Sequence, residues 1–225
     1  MGSPSPLPAP ADERPLRRDA ELNRQRILQA AREVFAARGL DVNLDDIAHH
    51  AGLGVGTVYR RFATREILVE ALFEQRLQEL VALAELALVD PDPWRGFAGF
   101  LEQACAQQAA DRGLHEIVHG TTYGQHRVAA ARERLAPAIR KLFRRAQEAG
   151  VLRADLTPND VPMLGLMVGS VVKYTREIHP DAWRRYLTIL LDGIRANDRP
   201  AAPLPCGALN EEQLDEAKQC WRPSR

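Results

Sequence analysis

Two groups of residues in this chain have types and spacings that could do chemistry. The first is Leu114 to His119, LHEIVH, where His115 and His119 stand four apart with Glu116 between them. On a helix that spacing puts both imidazoles on one face. They could then hold a zinc ion, with Glu116 as the general base that activates a hydrolytic water. The flanks argue against a sustained helix, because Gly113 precedes the motif and Gly120-Thr121-Thr122 follows it. No third ligand stands at the extended-motif spacing, and the nearest downstream acid, Glu133, falls on a different helical segment. Two plainer roles fit the same residues. With Tyr123, His115 and His119 could line a pocket between two helices, or they are partly exposed side chains at a helix junction.

The second group lies in Leu44 to Phe62, LDDIAHHAGLGVGTVYRRF. The order is short helix, glycine turn, short helix, the plan of a helix-turn-helix. Ile47, Ala51, Leu53, Val58 and Phe62 fall where two steeply crossed helices would bury apolar side chains, and Gly52 supplies the permissive backbone of the turn. The second helix leaves Val55, Thr57, Tyr59, Arg60 and Arg61 outside. A small side chain, hydroxyls and guanidinium groups suit base edges and phosphates in a major groove. Charge agrees locally: from Arg14 to Arg65 ten arginines face six acids, a net of +4. The whole chain, with thirty basic and thirty acidic residues, is neutral. Local basic surface is what releases phosphate counterions. The competing reading is an ordinary αα-corner with a solvated basic face.

No further chemistry stands out. The Gly54-x-Gly56 pair belongs to the turn and not to a phosphate loop, and there is no serine nucleophile elbow. Cys105 sits in a helical Ala/Gln stretch and reads as a packing thiol. No catalytic residue, metal or cofactor is implied, and the chain reads as a non-enzyme. Three dispersed cysteines, Cys105, Cys206 and Cys220, disfavour a disulfide framework and fit a reduced cytoplasm. The longest charge-free apolar stretch, Val161 to Val172, is twelve residues with one Pro and two Gly, against roughly 20 for a membrane span.

The elements that must position these groups are all helical. Apolar residues recur at helical spacing and strand alternation is absent. Asp19 can cap a first helix to Arg38, closed by Gly39; Asn43 caps a second to Ala51; a third covers about 56–62; Thr64 caps a fourth to about Leu88. Asp92-Pro93 opens a helix to about Ala110. Tyr123 to Gly150 holds another, kinked or broken at Pro137. Helices from Thr157 to Ile178 and from Pro180 to Ala196 complete an all-α chain of about nine helices. Pro-rich composition marks residues 1–17 as a disordered arm and residues 197–225 as a mostly disordered tail. Between them lie a helix-turn-helix domain, residues 18–62, and a helical bundle, residues 63–196, with the fourth helix as linker.

Residues 24–73, ILQAAREVFAARGLDVNLDDIAHHAGLGVGTVYRRFATREILVEALF at their centre, resemble the DNA-binding domain of the TetR family of bacterial transcriptional repressors. The Ala-Ala and Phe of helix one, the Ile-Ala before the Ala-Gly turn, Gly-Thr-x-Tyr, Phe62 and Arg-Glu-x-Leu stand in the family's order. The resemblance implies that Thr57 and Tyr59 lie at the DNA surface, Tyr59 on a phosphate, with Thr64 and Arg65 contacting phosphate at the start of helix four. Arg65 departs from the usual Lys there but keeps its charge. Asn43 replaces the usual Ser or Thr, keeping a cap and a site for phosphate. The resemblance further implies a homodimer, a palindromic double-stranded operator and a small-molecule effector.

The second domain carries weaker signals. Trp183, Leu187, Leu190 and Ile194 form a stripe at spacings four, three and four, and Met163, Leu166, Met167 and Val171 line a face with Gly165 and Gly169. Two-fold operator reading favours Met163, Leu166, Val171 and the stripe as a dimer interface; an internal packing face explains the stripe as well. Trp94, Phe97, His115, His119, Tyr123, Met163 and Met167 suggest a mixed apolar and polar effector pocket. The sequence therefore reads as a cytoplasmic repressor released by a small molecule, with a zinc hydrolase on residues 115–119 as the rival.

Overall fold

A computed structural model describes residues 13–39, 42–110, 125–197 and 202–220 of the 225. Nine helices stand among them: α1 (Glu13–Arg38), α2 (Leu44–Ala51), α3 (Val55–Arg61), α4 (Arg65–Leu88), α5 (Pro93–Ala110), α6 (Gln125–Glu148), α7 (Asp160–Thr175), α8 (Ala182–Ile194) and α9 (Glu211–Cys220). One isolated bridge, Leu152 with Arg195, is the sole β pairing among the described residues. The all-α expectation holds.

Two hydrophobic cores are threaded by one helix. The first gathers Ile27, Ala31, Val34 and Phe35 of α1, Ile47 and Ala48 of α2, Val58 of α3 and Phe62, and closes on Leu68, Leu72, Phe73 and Leu77 of α4. The second takes Ala84 and Ala87 from the far end of α4 and packs them with α5, α6, α7 and α8. The fourth helix is therefore a shared wall rather than a spacer. Its first three turns belong to the small domain.

Three boundaries differ from the sequence reading, each for a local reason. α1 begins at Glu13, six residues before Asp19; Pro15 falls in the first turn, where its missing N–H has no helical partner to lose. α6 runs through Pro137 as one helix. That proline lies on the exposed face, as does Glu133, whose carbonyl would have accepted its N–H, so water can replace the lost bond. The expected disordered tail instead folds in part: α9 covers residues 211–220 and buries Leu214. A single buried leucine among charged residues gives too little periodicity to reveal it.

Candidate nucleic-acid interface

The reading head is built by local signals in order along the chain. Asn43 Oδ1 accepts from the Asp46 backbone N–H at 2.8 Å, starting α2. Asp45 and Asp46 then sit in the first turn, where the helix dipole favours them. Gly52 ends α2 with φ 64° and ψ 34°, a left-handed conformation in which any side chain would be strained. This redirects the chain into α3. Val58 is fully buried and Phe62 nearly so, pinning α3 into the core that α1, α2 and α4 share.

Once Val58 faces inward, helical geometry turns the rest of α3 outward. Val55 and Tyr59 are exposed at 45% and 44%, Arg60 and Arg61 are exposed, and Thr57 is half-buried. Arg60 lies back along its own helix, Nε donating to the Gly56 carbonyl at 3.1 Å and a terminal nitrogen to Thr57 Oγ1 at 3.4 Å. Arg61 pairs with Glu21 of α1 at 3.6 Å. The Tyr59 hydroxyl donates to the Asp45 carboxylate, and that bond together with the negative charge raises the phenol above its ordinary pKa. Spacing alone does not reveal this partner, because Asp45 stands on a different helix from Tyr59.

Thr64 Oγ1 accepts from the Ile67 backbone N–H at 3.4 Å, capping α4. Arg65 follows, near Glu66 at 3.8 Å. The Glu66 carboxyl is held below its usual value, first by its own backbone N–H and then by the Thr64 side chain. Of the eight sequence-derived positions, Val55, Thr57, Tyr59, Arg60 and Arg61 fall on α3, Asn43 and Thr64 cap α2 and α4, and Arg65 opens α4. Behind them α1 and α2 are tied by His50 and Glu33 at 2.7 Å and by Arg38 and Asp46 at 3.5 Å.

The second domain corrects the sequence reading in two places. A cavity of about 330 Å³ opens between α4, α5, α6, α7 and α9, mostly apolar, with Arg76, Gln108 and Arg140 among its few polar groups. Met163 lines it. Trp94, Phe97 and Met167 do not. Trp94 stacks under the Arg195 guanidinium at 4.8 Å, Phe97 packs edge-on against Phe143 at 6.1 Å in the core, and Met167 is exposed. Trp94 and Phe97 fit a pocket by type, but their packing is with Arg195 and Phe143 instead. His115, His119 and Tyr123 lie outside the described residues. Cys105 also lines the cavity, and burial pushes its thiol up to about 12, against the opposing charge of Arg76. Such a thiol is a packing group.

The second correction concerns the stripe. Trp183, Leu187 and Ile194 are buried inside the subunit, with half-buried Leu190 and Val171 packed against the same core. Leu166 and Met163 turn to the cavity. At Gly169 a Cβ would come within 2.5 Å of Gln108 Nε2 of α5, whereas one at Gly165 would meet nothing within 4 Å, so only Gly169 is tight against another helix of the same chain. The outward face of α7 and α8 is a different set, Met167, Tyr174, Tyr186 and Ile189, all exposed. Periodicity had found an apolar face of α8, and the neighbour it meets is the subunit's own bundle.

Comparison with known proteins agrees with this architecture in both halves. Residues 27–72 match the model described as bacterial regulatory proteins, tetR family, and residues 92–196 match the C-terminal domain of SbtR-like transcriptional regulators. Among solved structures, the TetR transcription regulatory protein from Mycobacterium vanbaalenii is 32% identical over 81% of this chain and all of that one, with a TM-score of 0.63. The regulator SCO0520 from Streptomyces coelicolor is 28% identical over 77% of this chain and 99% of its own, with a TM-score of 0.62. The curated regulator SAR0097 of Staphylococcus aureus is 31% identical over 86 residues, 37% of this chain and 44% of its own length. This chain thus spans less than half of that curated relative. With α3 presented outward, both domains matched and a 32% identical relative covered end to end, the chain belongs to the TetR family of transcriptional regulators.

Proposed function

We propose that the protein is a homodimeric, sequence-specific DNA-binding repressor of the cytoplasm, released from a palindromic operator by a small molecule held in the cavity. The observation that carries this reading is the division of labour on α3: Val58 is fully buried while Val55, Tyr59, Arg60 and Arg61 stand outside. In this reading Thr57 and Val55 meet base edges. Tyr59, Arg60, Arg61, Thr64 and Arg65 then meet phosphates, joined by the side-chain amide of Asn43. The exposed apolar face of α7 and α8 supplies the two-fold contact that such reading requires. Among the described residues no helix is long and apolar enough to cross a membrane. The zinc-hydrolase rival rests on residues 115–119 alone and takes no support from either family match.

Coupling between cavity and reading head runs through α4. Phe73 and Leu77 belong to the small domain's core and also line the cavity. Glu79 accepts from Arg32 of α1 at 2.6 Å and pairs with cavity-lining Arg76 at 3.5 Å. A ligand that prefers a different setting of α4 therefore changes the spacing of two recognition helices, and operator affinity falls by that preference. The test is a salt titration of duplex binding. Arg65→Ala should weaken binding to every sequence and flatten the salt slope by about one phosphate contact. An unchanged slope and affinity in a folded Arg65→Ala protein would remove this end of α4 from the interface.

A further inference from the structure

Past residue 196, beyond the span of either family match, the chain returns to the cavity. Asn210 Oδ1 accepts from the Gln213 N–H at 2.8 Å and Gln213 Oε1 accepts from the Asn210 N–H at 3.0 Å, a reciprocal cap that starts a helix. α9 is acidic, with Glu211, Glu212, Asp215 and Glu216. Yet its Leu214 is buried, and Leu214 and Ala217 form part of the cavity wall. Polar contacts hold the segment in place. Arg153 donates to the Ala202 carbonyl at 2.8 Å, Asn159 Nδ2 donates to the Leu209 carbonyl at 2.8 Å, and Arg140 pairs with Glu211 at 3.6 Å. Arg140 is itself a cavity-lining residue. One segment therefore brings an aliphatic side chain and a carboxylate together to the rim, where they meet an apolar wall and a guanidinium.

We propose that α9 is an internal competitor for the cavity and that the effector it competes with is an amphiphilic carboxylate, an aliphatic tail bearing one anionic head. The tail takes the apolar space against which Leu214 packs. The head takes Arg140 from Glu211. That pair is solvent-exposed on both sides, hence weak, as suits a contact that must exchange. This inference rests on the cavity being the effector site.

The test uses the full chain with decanoate and decanol as a matched probe pair, measured by calorimetry on the parent and on Glu211→Gln, Leu214→Ala and Arg140→Gln. Decanoate should bind the parent more tightly than decanol. Removing the competitor should tighten decanoate about three- to tenfold in Glu211→Gln and Leu214→Ala, as the binding-competent fraction rises. Arg140→Gln should lose the preference for the carboxylate. Amide exchange adds an independent reading: α9 should lose protection when decanoate binds the parent. Unchanged or weaker decanoate binding in both Glu211→Gln and Leu214→Ala, or α9 amides that gain protection, would make the helix a fixed wall. No binding of either probe by any of the four proteins would overturn the ligand class. Duplex binding by the same parent preparation, without probe, reports separately on whether the protein is a DNA-binding regulator at all.

Discussion

Tyr59 faces a choice of partner. Its hydroxyl donates to Asp45 in the free protein, and a phosphate oxygen arriving on α3 competes for that proton. The carboxylate also repels the arriving phosphate. Asp45→Asn keeps an acceptor for Tyr59 and deletes the charge, so it should tighten binding to all duplexes a few-fold, most at low salt where screening is weakest. Tyr59→Phe removes the hydroxyl and should weaken binding to all sequences while leaving the fold intact. Fluorescence anisotropy with operator and unrelated duplexes measures both. Thr57 differs because the proposed interface turns it to base edges, and in that reading Thr57→Ala should change sequence preference by about 1–3 kcal/mol at one or two positions. If Asp45→Asn and Tyr59→Phe both bind like the parent, the hydroxyl does not reach DNA.

The elements hold these side chains in place by cores and caps, and those can be separated from contact. Phe62→Ala empties the small core and should cost about 3–5 kcal/mol in denaturant unfolding, with Val58→Ala costing less for its smaller side chain. Acid should also loosen the fold. The carboxyls of Glu33, Asp90 and Asp155 sit below their ordinary values, 4.5 for Glu and 3.8 for Asp. The leading causes are the hydrogen bonds from His50, Arg95 and Arg153 respectively. A depressed folded pKa contributes stability that is complete above the ordinary value and is lost as pH falls through the folded one. Melting temperature should therefore drop as pH falls from about 5 to 3, and less steeply in Arg153→Gln; identical profiles would deny that pair a role. The same local logic explains what could be read from sequence. Asn43, Gly52 and Thr64 act on backbone within three residues, so the helix-turn-helix and its outward residues were legible. An apolar stripe says that a helix is covered but not by what, which is why Trp183 and Leu187 were assigned to a second copy. Pocket residues such as Arg76 and Arg140 carry no local mark, since the cavity exists only where five helices meet.

At the scale of the whole molecule, reading of a palindromic operator requires two reading heads on one symmetry axis. In the proposed dimer the interface lies on the exposed set of α7 and α8, which includes Tyr186 and Ile189. Ile189→Asp should give a folded monomer in sedimentation, whereas Leu187→Asp buries an unpaired charge in the subunit's own core and should unfold it. A dimer that survives Ile189→Asp would place the contact elsewhere. In the proposed function dimerisation matters because each α3 would read only a few base pairs, and discrimination would come from joining two half-sites at fixed spacing. Selection of bound sequences from random duplex DNA by the intact protein tests the central claim most directly, because it asks about reading and symmetry together. The expected result is an inverted repeat whose half-site centres lie about one helical turn, 10–10.5 base pairs, or a multiple of it apart, with Thr57→Ala altering the enriched bases and Ile189→Asp abolishing the enrichment. A pool that stays random after repeated rounds, or an enriched site without two-fold symmetry, would contradict it.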